Sequence, residues 1–231
     1  MTPGLYVYAV LATGARADGT GLAGEPLRIV PCGDFAAAVG EMDDAPAVEA
    51  RTLRAHDSVV RALAQSAEAI LPARFGCVVK DEIALRDALQ PRARELGDAL
   101  RLVRGCEQMT VRVYGSDAAG APAAEPAADE PMTPARPGTD YLVSRQRERR
   151  RAREVPELDP IRPALGMLVR EERAQRHRTP PLLASVYHLI GRGQAAVYQE
   201  TLTRAAASLG AVRVSASGPW PPYAFTPETL V

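Results

Sequence analysis

The sequence predicts an α+β protein, with an N-terminal ferredoxin-like domain built on an antiparallel sheet and a smaller C-terminal α+β domain. Strand-like and helix-like segments alternate through the first half of the chain. An acidic, Ala/Pro-rich segment at 116–137 then divides the chain, because it lacks the apolar residues of a core. Hydrophobic residues are 46% and charged residues 24% of the 231 residues, as in folded globular proteins. We therefore expect domains at 1–115 and 138–231, joined by this linker.

The first half of the N-terminal domain is predicted to contain strands and one helix. Residues 5–11 (LYVYAVL) are aromatic and β-branched, which is typical of a strand. Residues 27–30 and 35–39 indicate two more strands on either side of a Gly-Asp turn. Apolar residues recur at helical spacing within 47–69, which predicts an amphipathic helix.

The second half of this domain completes the alternation. Residues 70–79 (ILPARFGCVV) indicate a buried strand that a proline and a glycine interrupt. Residues 81–103 predict a helix that breaks near Pro91. Residues 109–114 alternate apolar and polar side chains, as in a half-buried strand. The resulting order of β, ββ, α, β, α and β is ferredoxin-like, with one additional hairpin strand.

The predicted linker and C-terminal domain differ in composition. The linker carries five prolines and four acidic residues, which favour an extended, solvated spacer. The domain after it has fewer predicted strands than the first. Its predicted elements are a helix at 138–154, a second helix from Ile161 that Pro180 and Pro181 end, a strand at 183–190, a helix at 194–209 and a strand at 211–216.

The charge balance argues against two classes of partner. Basic and acidic residues number 28 each, so the chain has no global field that would hold nucleic acid or an anionic membrane. We expect neither as a partner. Apolar runs are too short for a membrane span and the N-terminus lacks a signal-peptide pattern, so the cytoplasm is the expected compartment.

The sequence also lacks motifs that carry catalysis. No phosphate-binding glycine loop, GxSxG, HExxH or CxxC pattern occurs. His56 and Asp57 are neighbours on a predicted helix, so their side chains diverge and cannot form a catalytic dyad. His188 has no metal-ligand spacing, and we interpret both histidines as structural. We therefore expect no enzymatic activity, no cofactor and no metal.

The densest charge feature is a run of six arginines within residues 145–153. On a helix they surround most of the circumference and form no single stripe. The leading interpretation is a solvated helix, and docking onto an acidic protein surface is the second, which makes Arg145 and Arg149 candidate partner contacts. Nucleic acid is the weakest interpretation, because no aromatic residues interleave with the arginines.

Four segments resemble one known family, in its order and across nearly the whole chain. They are YVYAV in the first strand, HDSVVRAL leading into ILPARFG, GTDYLVSRQRERR after the linker, and the terminal SGPWPPYAF. The most specific is GPWPPYAF, at 218–225, since a string with three prolines and a tryptophan is improbable by chance. These segments resemble the gas vesicle protein GvpL/GvpF family, which implies the two-domain fold predicted above.

The resemblance also implies a function. Such a protein is a non-enzymatic accessory component of gas vesicles that binds the shell protein GvpA and other accessory Gvp proteins, and that nucleates or chaperones assembly. A shell subunit that is apolar on one face needs that face covered before assembly. A sheet edge or an apolar groove can provide the cover. The expected location is then the cytoplasm and the gas vesicle, and the resemblance leaves self-association and an F-type or L-type role open.

Three further residues carry two interpretations each. Trp220 and Tyr223 either lock a proline-stiffened segment onto the sheet or form a rigid anchor for a partner. Arg74 either pairs with an acid of the core or faces a partner. The structural interpretation leads in each case. An alternative function is a ferredoxin-like module that binds a small molecule or is enzymatic, with a pocket near Arg74 and Glu107.

Overall fold

A computed structural model of the chain describes residues 4–42, 44–115, 155–210 and 212–228. Within these ranges the strands form two sheets, one of five strands and one of four. The predicted linker at 116–137 and the predicted Arg-rich helix at 138–154 lie outside the described residues, and so do Arg145 and Arg149.

The first sheet is antiparallel and has a fully buried strand in its interior. Its strands are β1 (Leu5–Ala12), β2 (Leu27–Pro31), β3 (Phe35–Glu41), β4 (Ile70–Pro72) and β5 (Val78–Val79). The order is β2-β3-β1-β4, and β5 also pairs with β1. All eight residues of β1 are buried, as expected for an apolar strand covered on both faces. The strands predicted at 5–11, 27–30 and 35–39 are confirmed.

Three helices belong to the same part of the chain: α1 (Ala50–Ser66), α2 (Glu82–Leu89) and α3 (Ala93–Val103). Val60 and Leu63 of α1 pack in one cluster with Tyr6 and Tyr8 of β1. A 3₁₀ turn at Gln90–Arg92, which contains Pro91, separates α2 from α3. This turn confirms the predicted break, because a proline removes a helical hydrogen bond.

The prediction of a single strand at 70–79 is wrong in one respect. The segment forms the two short strands β4 and β5, and residues 73–77 turn between them. Gly76 lies in the left-handed region, with φ of 88°. A residue with a Cβ rarely adopts this conformation, so the glycine marks the reversal of the chain.

The second sheet has the order β7-β8-β6-β9. Its strands are β6 (Cys106–Tyr114), β7 (Val169–Arg176), β8 (Leu182–Gly191) and β9 (Arg213–Trp220), and two helices accompany them, α4 (Arg162–Leu165) and α5 (Ala195–Ala206). Its core contains Met109, Val111, Val113, Val155, Leu158, Ile161, Leu165, Ala184, Val186, Ile190, Tyr198 and Leu202. The α+β class with antiparallel sheets is thus confirmed.

Two predictions for this sheet are wrong. Strand β6 was predicted to close the first sheet, but it lies between β8 and β9 of the second. The helix predicted from Ile161 lasts only through α4, and the charged residues after it form β7. In the register of β7 with β8, Glu172 faces His188 and Arg176 faces Ala184, on the core side of the sheet. Charged residues are accommodated there because each makes an ion pair.

The chain divides into two compact units at positions other than the predicted linker. The first unit contains residues 1–108 and 219–231, and the second unit contains 109–218. The division falls within β6 and β9. The terminal segment therefore belongs with the N-terminal half, whereas the predicted C-terminal domain at 138–231 included it.

The ion pair between Arg176 and Glu157 provides a test of the second unit. Both Arg176 Nη atoms lie 2.9 Å from a Glu157 oxygen, and the Glu157 side chain is only 4% exposed. Arg176→Met leaves this buried carboxylate without its guanidinium, so we expect the free energy of unfolding to fall by about 3 kcal/mol. Urea unfolding followed by circular dichroism measures the change.

Arg204→Met is the matched control for this experiment. Arg204 pairs with Glu200 on α5, but both side chains are more than 70% exposed. An exposed pair contributes little, so we expect a change below about 0.5 kcal/mol. Equal effects of the two substitutions would contradict the stabilising role of the buried pair.

Candidate functional site

The terminal segment of the first unit is fixed to helix α1 through Asp57. The Tyr223 hydroxyl donates a hydrogen bond to Asp57 Oδ1 at 3.0 Å, and its ring packs against the first core cluster. Arg61, one turn further along α1, places its Nε 2.6 Å from Asp57 Oδ2. Burial raises the pKa of Tyr223 above its ordinary range, so the hydroxyl stays protonated and continues to donate. One carboxylate thus holds both side chains.

Trp220 lies beneath the same arginine. The guanidinium carbon of Arg61 is 4.2 Å from the centroid of the Trp220 ring, which is a cation–π contact. Trp220 is half-buried, so part of the ring stays accessible. Further along, the Ala224 amide donates to Gln108 Oε1 at 2.8 Å and Phe225 is fully buried. We name Asp57, Arg61, Trp220 and Tyr223 the terminal cluster.

Arg74 is exposed on the turn at 73–77, and hydrogen bonds to β1 hold this turn in place. The Ala73 amide donates to the Tyr8 carbonyl, and the Val7 amide donates to the Cys77 carbonyl, both at 2.8 Å. The Gly76 amide donates to the Tyr6 hydroxyl at 3.0 Å. Among the described residues no ion pair joins Arg74 to an acid of the core. Arg74 is therefore a cation on a rigid turn.

His56 supports this turn from below. It is buried, its Nδ1 accepts a hydrogen bond from the Tyr6 hydroxyl at 3.0 Å, and its Nε2 donates to the Ala73 carbonyl at 3.3 Å. These two partners specify the neutral tautomer with its hydrogen on Nε2. Burial lowers the pKa of His56, which also favours the neutral ring. Its neighbour Asp57 is hydrogen-bonded to Arg61 and Tyr223 instead, so the geometry contains no His-Asp dyad.

A second polar chain runs through the second unit. His188 is buried, with Nδ1 accepting from the Tyr198 hydroxyl and Nε2 donating to Glu172 Oε2 at 3.0 Å. Arg162 donates to the other Glu172 oxygen at 2.9 Å. The hydrogen bond from His188, together with that from Arg162, lowers the pKa of Glu172 to about 2 although its burial opposes the shift.

The order of carboxylate, imidazole and hydroxyl is similar to a nucleophilic triad, but the hydroxyl is inaccessible. Tyr198 is 0% exposed, and burial raises its pKa above the ordinary range, so it serves as a hydrogen-bond donor inside the unit. Of these residues, only His188 stands out in the sequence. Its partners could not be found from spacing, because they come from different elements of the sheet and helix.

Other candidate chemistry is limited within the described ranges. No group of three or more His, Cys, Asp or Glu residues is arranged to hold a metal ion there. Cys32 and Cys106 are buried, Cys77 is half-buried, and none of the three is in a disulfide. None of the described helices is both long enough and apolar enough to span a membrane.

Comparison with known proteins identifies the family. The model of a family described as "Gas vesicle synthesis protein GvpL/GvpF" matches residues 4–227. The chain belongs to the GvpL/GvpF family. It is 30% identical over 251 aligned residues to Gas vesicle protein L from a Streptomyces species, and the alignment covers 95% of this chain and 91% of that relative. The resemblance seen in the four sequence segments is thereby confirmed, and membership supports an accessory role in gas vesicles.

Solved structures show that the fold is also that of this family. GvpF from Anabaena sp. PCC7120 superimposes with a TM-score of 0.71 at 18% identity, covering 98% of this chain and 97% of that one. GvpF from Microcystis aeruginosa gives a TM-score of 0.70 at 17% identity, with 97% and 99% covered. The GvpL/GvpF fold thus persists where most side chains differ.

Tyr223→Phe tests the attachment of the terminal segment. The substitution removes only the hydroxyl that donates to Asp57, so we expect the free energy of unfolding to fall by about 1 kcal/mol. Urea unfolding followed by circular dichroism checks this. Tyr187→Phe, at a half-buried tyrosine of β8, is the control and should change stability by less than about 0.5 kcal/mol. An unchanged or more stable Tyr223→Phe would contradict the attachment.

Glu172 should make stability depend on pH in the acid range. Its pKa is about 2 in the folded protein against an ordinary 4.5, so its contribution is present above about pH 4.5 and is lost as the pH falls towards 2. Glu172→Gln should destabilise the protein at pH 6 by about 1–3 kcal/mol and by less at pH 2.5. Urea midpoints at both values test this, with exposed Glu200→Gln as the control. A loss of equal size at both pH values would contradict the expected titration.

Proposed function

We propose that this protein binds the gas vesicle shell protein GvpA, together with other accessory Gvp proteins, and thereby nucleates or chaperones shell assembly without catalysis or a cofactor. Membership of the GvpL/GvpF family supports the gas vesicle setting. The proposal places the protein in the cytoplasm and at the growing vesicle. Its contact surface is the terminal cluster together with the turn that carries Arg74.

The observation that carries the proposal is the cation–π pair of Arg61 and Trp220. The ring is half-buried and its centroid lies 4.2 Å from the guanidinium carbon, while Asp57 accepts a hydrogen bond from Nε of the same guanidinium. Tyr223 and Phe225 anchor the chain that follows Trp220. Binding a partner would therefore cost little conformational entropy, because few further rotatable bonds would have to be ordered. Tryptophan and arginine in such a rigid setting are typical of interface hot spots.

Exposed apolar side chains lie in the segment before α1 and in the first turns of that helix. A Cβ at Gly76 would lie 3.9 Å from the Ala45 Cβ, so the segment before α1 runs beside the turn. Val48 of that segment is 78% exposed, and Leu53 in the first turns of α1 is 41% exposed. A surface that offers the Arg74 cation together with exposed apolar side chains suits a partner segment that is apolar and carries a carboxylate.

Capture of purified GvpA by the immobilised protein tests the proposal. Wild type should retain GvpA without any added cofactor. Trp220→Ala and Arg74→Glu should each weaken capture by about tenfold or more while circular dichroism stays unchanged. Arg94→Glu, an exposed charge reversal on α3, is the matched control and should bind as wild type does.

The possible outcomes distinguish two questions, whether GvpA is a partner and whether this surface binds it. Failure of wild type to retain GvpA would exclude direct shell binding and leave contacts with other accessory proteins as the function. Retention by both Trp220→Ala and Arg74→Glu would exclude this surface and leave Trp220 as a structural residue. Equal loss with Arg94→Glu would indicate a general effect of charge.

A further inference from the structure

Both sheets end in edge strands, which have a neighbouring strand on one side only. Along such a strand, every second residue directs its backbone N–H and C=O away from the sheet, where another chain can pair with them. The edges of the first sheet are β2 on one side and β4 with β5 on the other, and those of the second sheet are β7 and β9. Three of these edges carry features that oppose pairing, and β9 does not.

The edges of the first sheet offer no continuous run of backbone groups for pairing. In β2, the Leu27 amide already donates to the Gly19 carbonyl at 3.2 Å, and Pro31 has no N–H. The Pro31 carbonyl accepts a hydrogen bond from Arg86 Nε at 3.1 Å. On the other side of the sheet, β4 and β5 contain only three and two residues. Strands of this length are at or below the short end of the usual range, so they make poor templates.

Strand β7, at one end of the second sheet, is protected by charge and by an irregular register. Its exposed side chains include Glu171, Arg173 and Gln175. Its pairing with β8 shifts in register between Val169 and Glu171, as at a β-bulge. Charged side chains and bulges on an edge strand disfavour pairing with another chain. This edge is therefore a poor template as well.

Strand β9, at the other end of the second sheet, lacks these features over its first four residues. Residues 213–216 (RVSA) contain no proline and one charged side chain. Their strand neighbour is β6, and no other backbone hydrogen bond joins these four residues to a described part of the chain. The run ends soon afterwards, because Gly218 has φ of 135° and Pro219 lacks an N–H. We name residues 213–216 the open edge.

The two faces of the open edge differ in chemistry. Val214 and Ala216 pack against the core of the second unit, so this face is apolar. Arg213 and Ser215 are exposed on the opposite face. A strand added beside β9 would continue both faces, because side chains alternate along a strand. Its side chains on the core side would therefore be small and apolar, as those of Val214 and Ala216 are.

The exposed face is positively charged beside the open edge. The guanidinium carbon of Arg213 lies 4.7 Å from the centroid of the Tyr114 ring on β6. Arg112, also on β6, is exposed on the same face, since Val111 and Val113 on either side of it belong to the core. Among the described strands of this sheet, the acid on this face is Glu171, which lies on β7 at the far end.

These positions determine the charge that a partner strand needs. A strand added at the open edge would lie next to Arg213 and would be separated from Arg112 by one strand. Neighbouring strands are about 4.8 Å apart, so side chains of the added strand would lie within the field of both arginines. Carboxylates on the exposed face of that strand would therefore complement them.

We propose that the open edge binds an extended segment of a partner protein by strand addition, and that this segment alternates carboxylates with small apolar side chains. The carboxylates face Arg213 and Arg112, and the apolar side chains continue the face of Val214 and Ala216. Hydrogen bonds between the main chains supply affinity, and the alternation of side chains supplies specificity. The proposal is independent of the surface formed by the terminal cluster and Arg74, and of GvpA as a partner.

A synthetic peptide with this alternation is the probe. The acetylated and amidated peptide TEVEAET should bind the full-length protein, as measured by fluorescence anisotropy of a labelled form. The peptide TKVKAKT has the same apolar positions and the opposite charge, so it should bind at least about tenfold more weakly. Absence of binding by TEVEAET, or equal binding of the two peptides, would overturn the proposal.

Charge reversal on the protein tests the assigned face. Arg213→Glu and Arg112→Glu should each weaken binding of TEVEAET about tenfold, and the double variant should prefer TKVKAKT. Arg178→Glu is the matched control, because Arg178 is an exposed arginine just beyond β7, at the opposite end of the same sheet. It should bind TEVEAET as wild type does, and circular dichroism should show that every variant is folded. Equal weakening by Arg178→Glu would overturn the assignment of this face.

Amide hydrogen exchange of the full-length protein distinguishes strand addition from contact through side chains alone. Saturating TEVEAET should slow exchange about tenfold or more at the outward-directed amides within residues 213–216, because these amides gain hydrogen bonds. The amides of β7 should exchange as they do in the free protein. Binding of the peptide without slower exchange in residues 213–216 would overturn the proposal, because the segment would then not pair with the open edge.

Discussion

The first unit depends on two tyrosine hydroxyls that lie on a strand buried along its whole length. A buried hydroxyl must find a hydrogen-bond partner inside the protein, or its desolvation destabilises the fold. Tyr6 and Tyr8 point to the same side of β1 and satisfy this requirement with different surface segments. Tyr6 organises the turn that carries Arg74, and Tyr8 organises the connection between β1 and β2 (residues 13–26) through Glu25. Burial raises the pKa of Tyr6 to about 12, so this hydroxyl stays neutral under ordinary conditions.

The second unit satisfies the same requirement with charged groups. Glu172 lies on the core side of β7, where Arg162 of α4 compensates its charge and His188 of β8 donates a hydrogen bond to it. These ion pairs and hydrogen bonds explain how a strand as charged as VREERAQR can face the apolar core of the second unit. In both units, polar side chains that reach into the interior determine which surface segments are rigid.

Apolar and aromatic segments were predictable from sequence, and charged ones were not. Strand β1 and the break at Pro91 follow from local composition, so both were predicted correctly. Strand β7 was mistaken for helix because its core-facing residues are charged, and only the tertiary ion pairs explain their burial. The placement of β6 in the second sheet depends on pairing with distant strands, which a single sequence does not encode locally. The contact of Tyr223 with α1 joins residues far apart in sequence, so a locking role was predictable but its partner Asp57 was not.

The assignment of residues 219–231 to the first unit makes that unit discontinuous in sequence, with the second unit inserted into it. Such an arrangement has a consequence for synthesis on the ribosome. The N-terminal half emerges first, but it lacks Tyr223 and Phe225 until the whole of the second unit has been translated. The first unit therefore completes its core only after the inserted unit has been made. Termination before Trp220 would leave a chain whose N-terminal half is present in full and still unfinished.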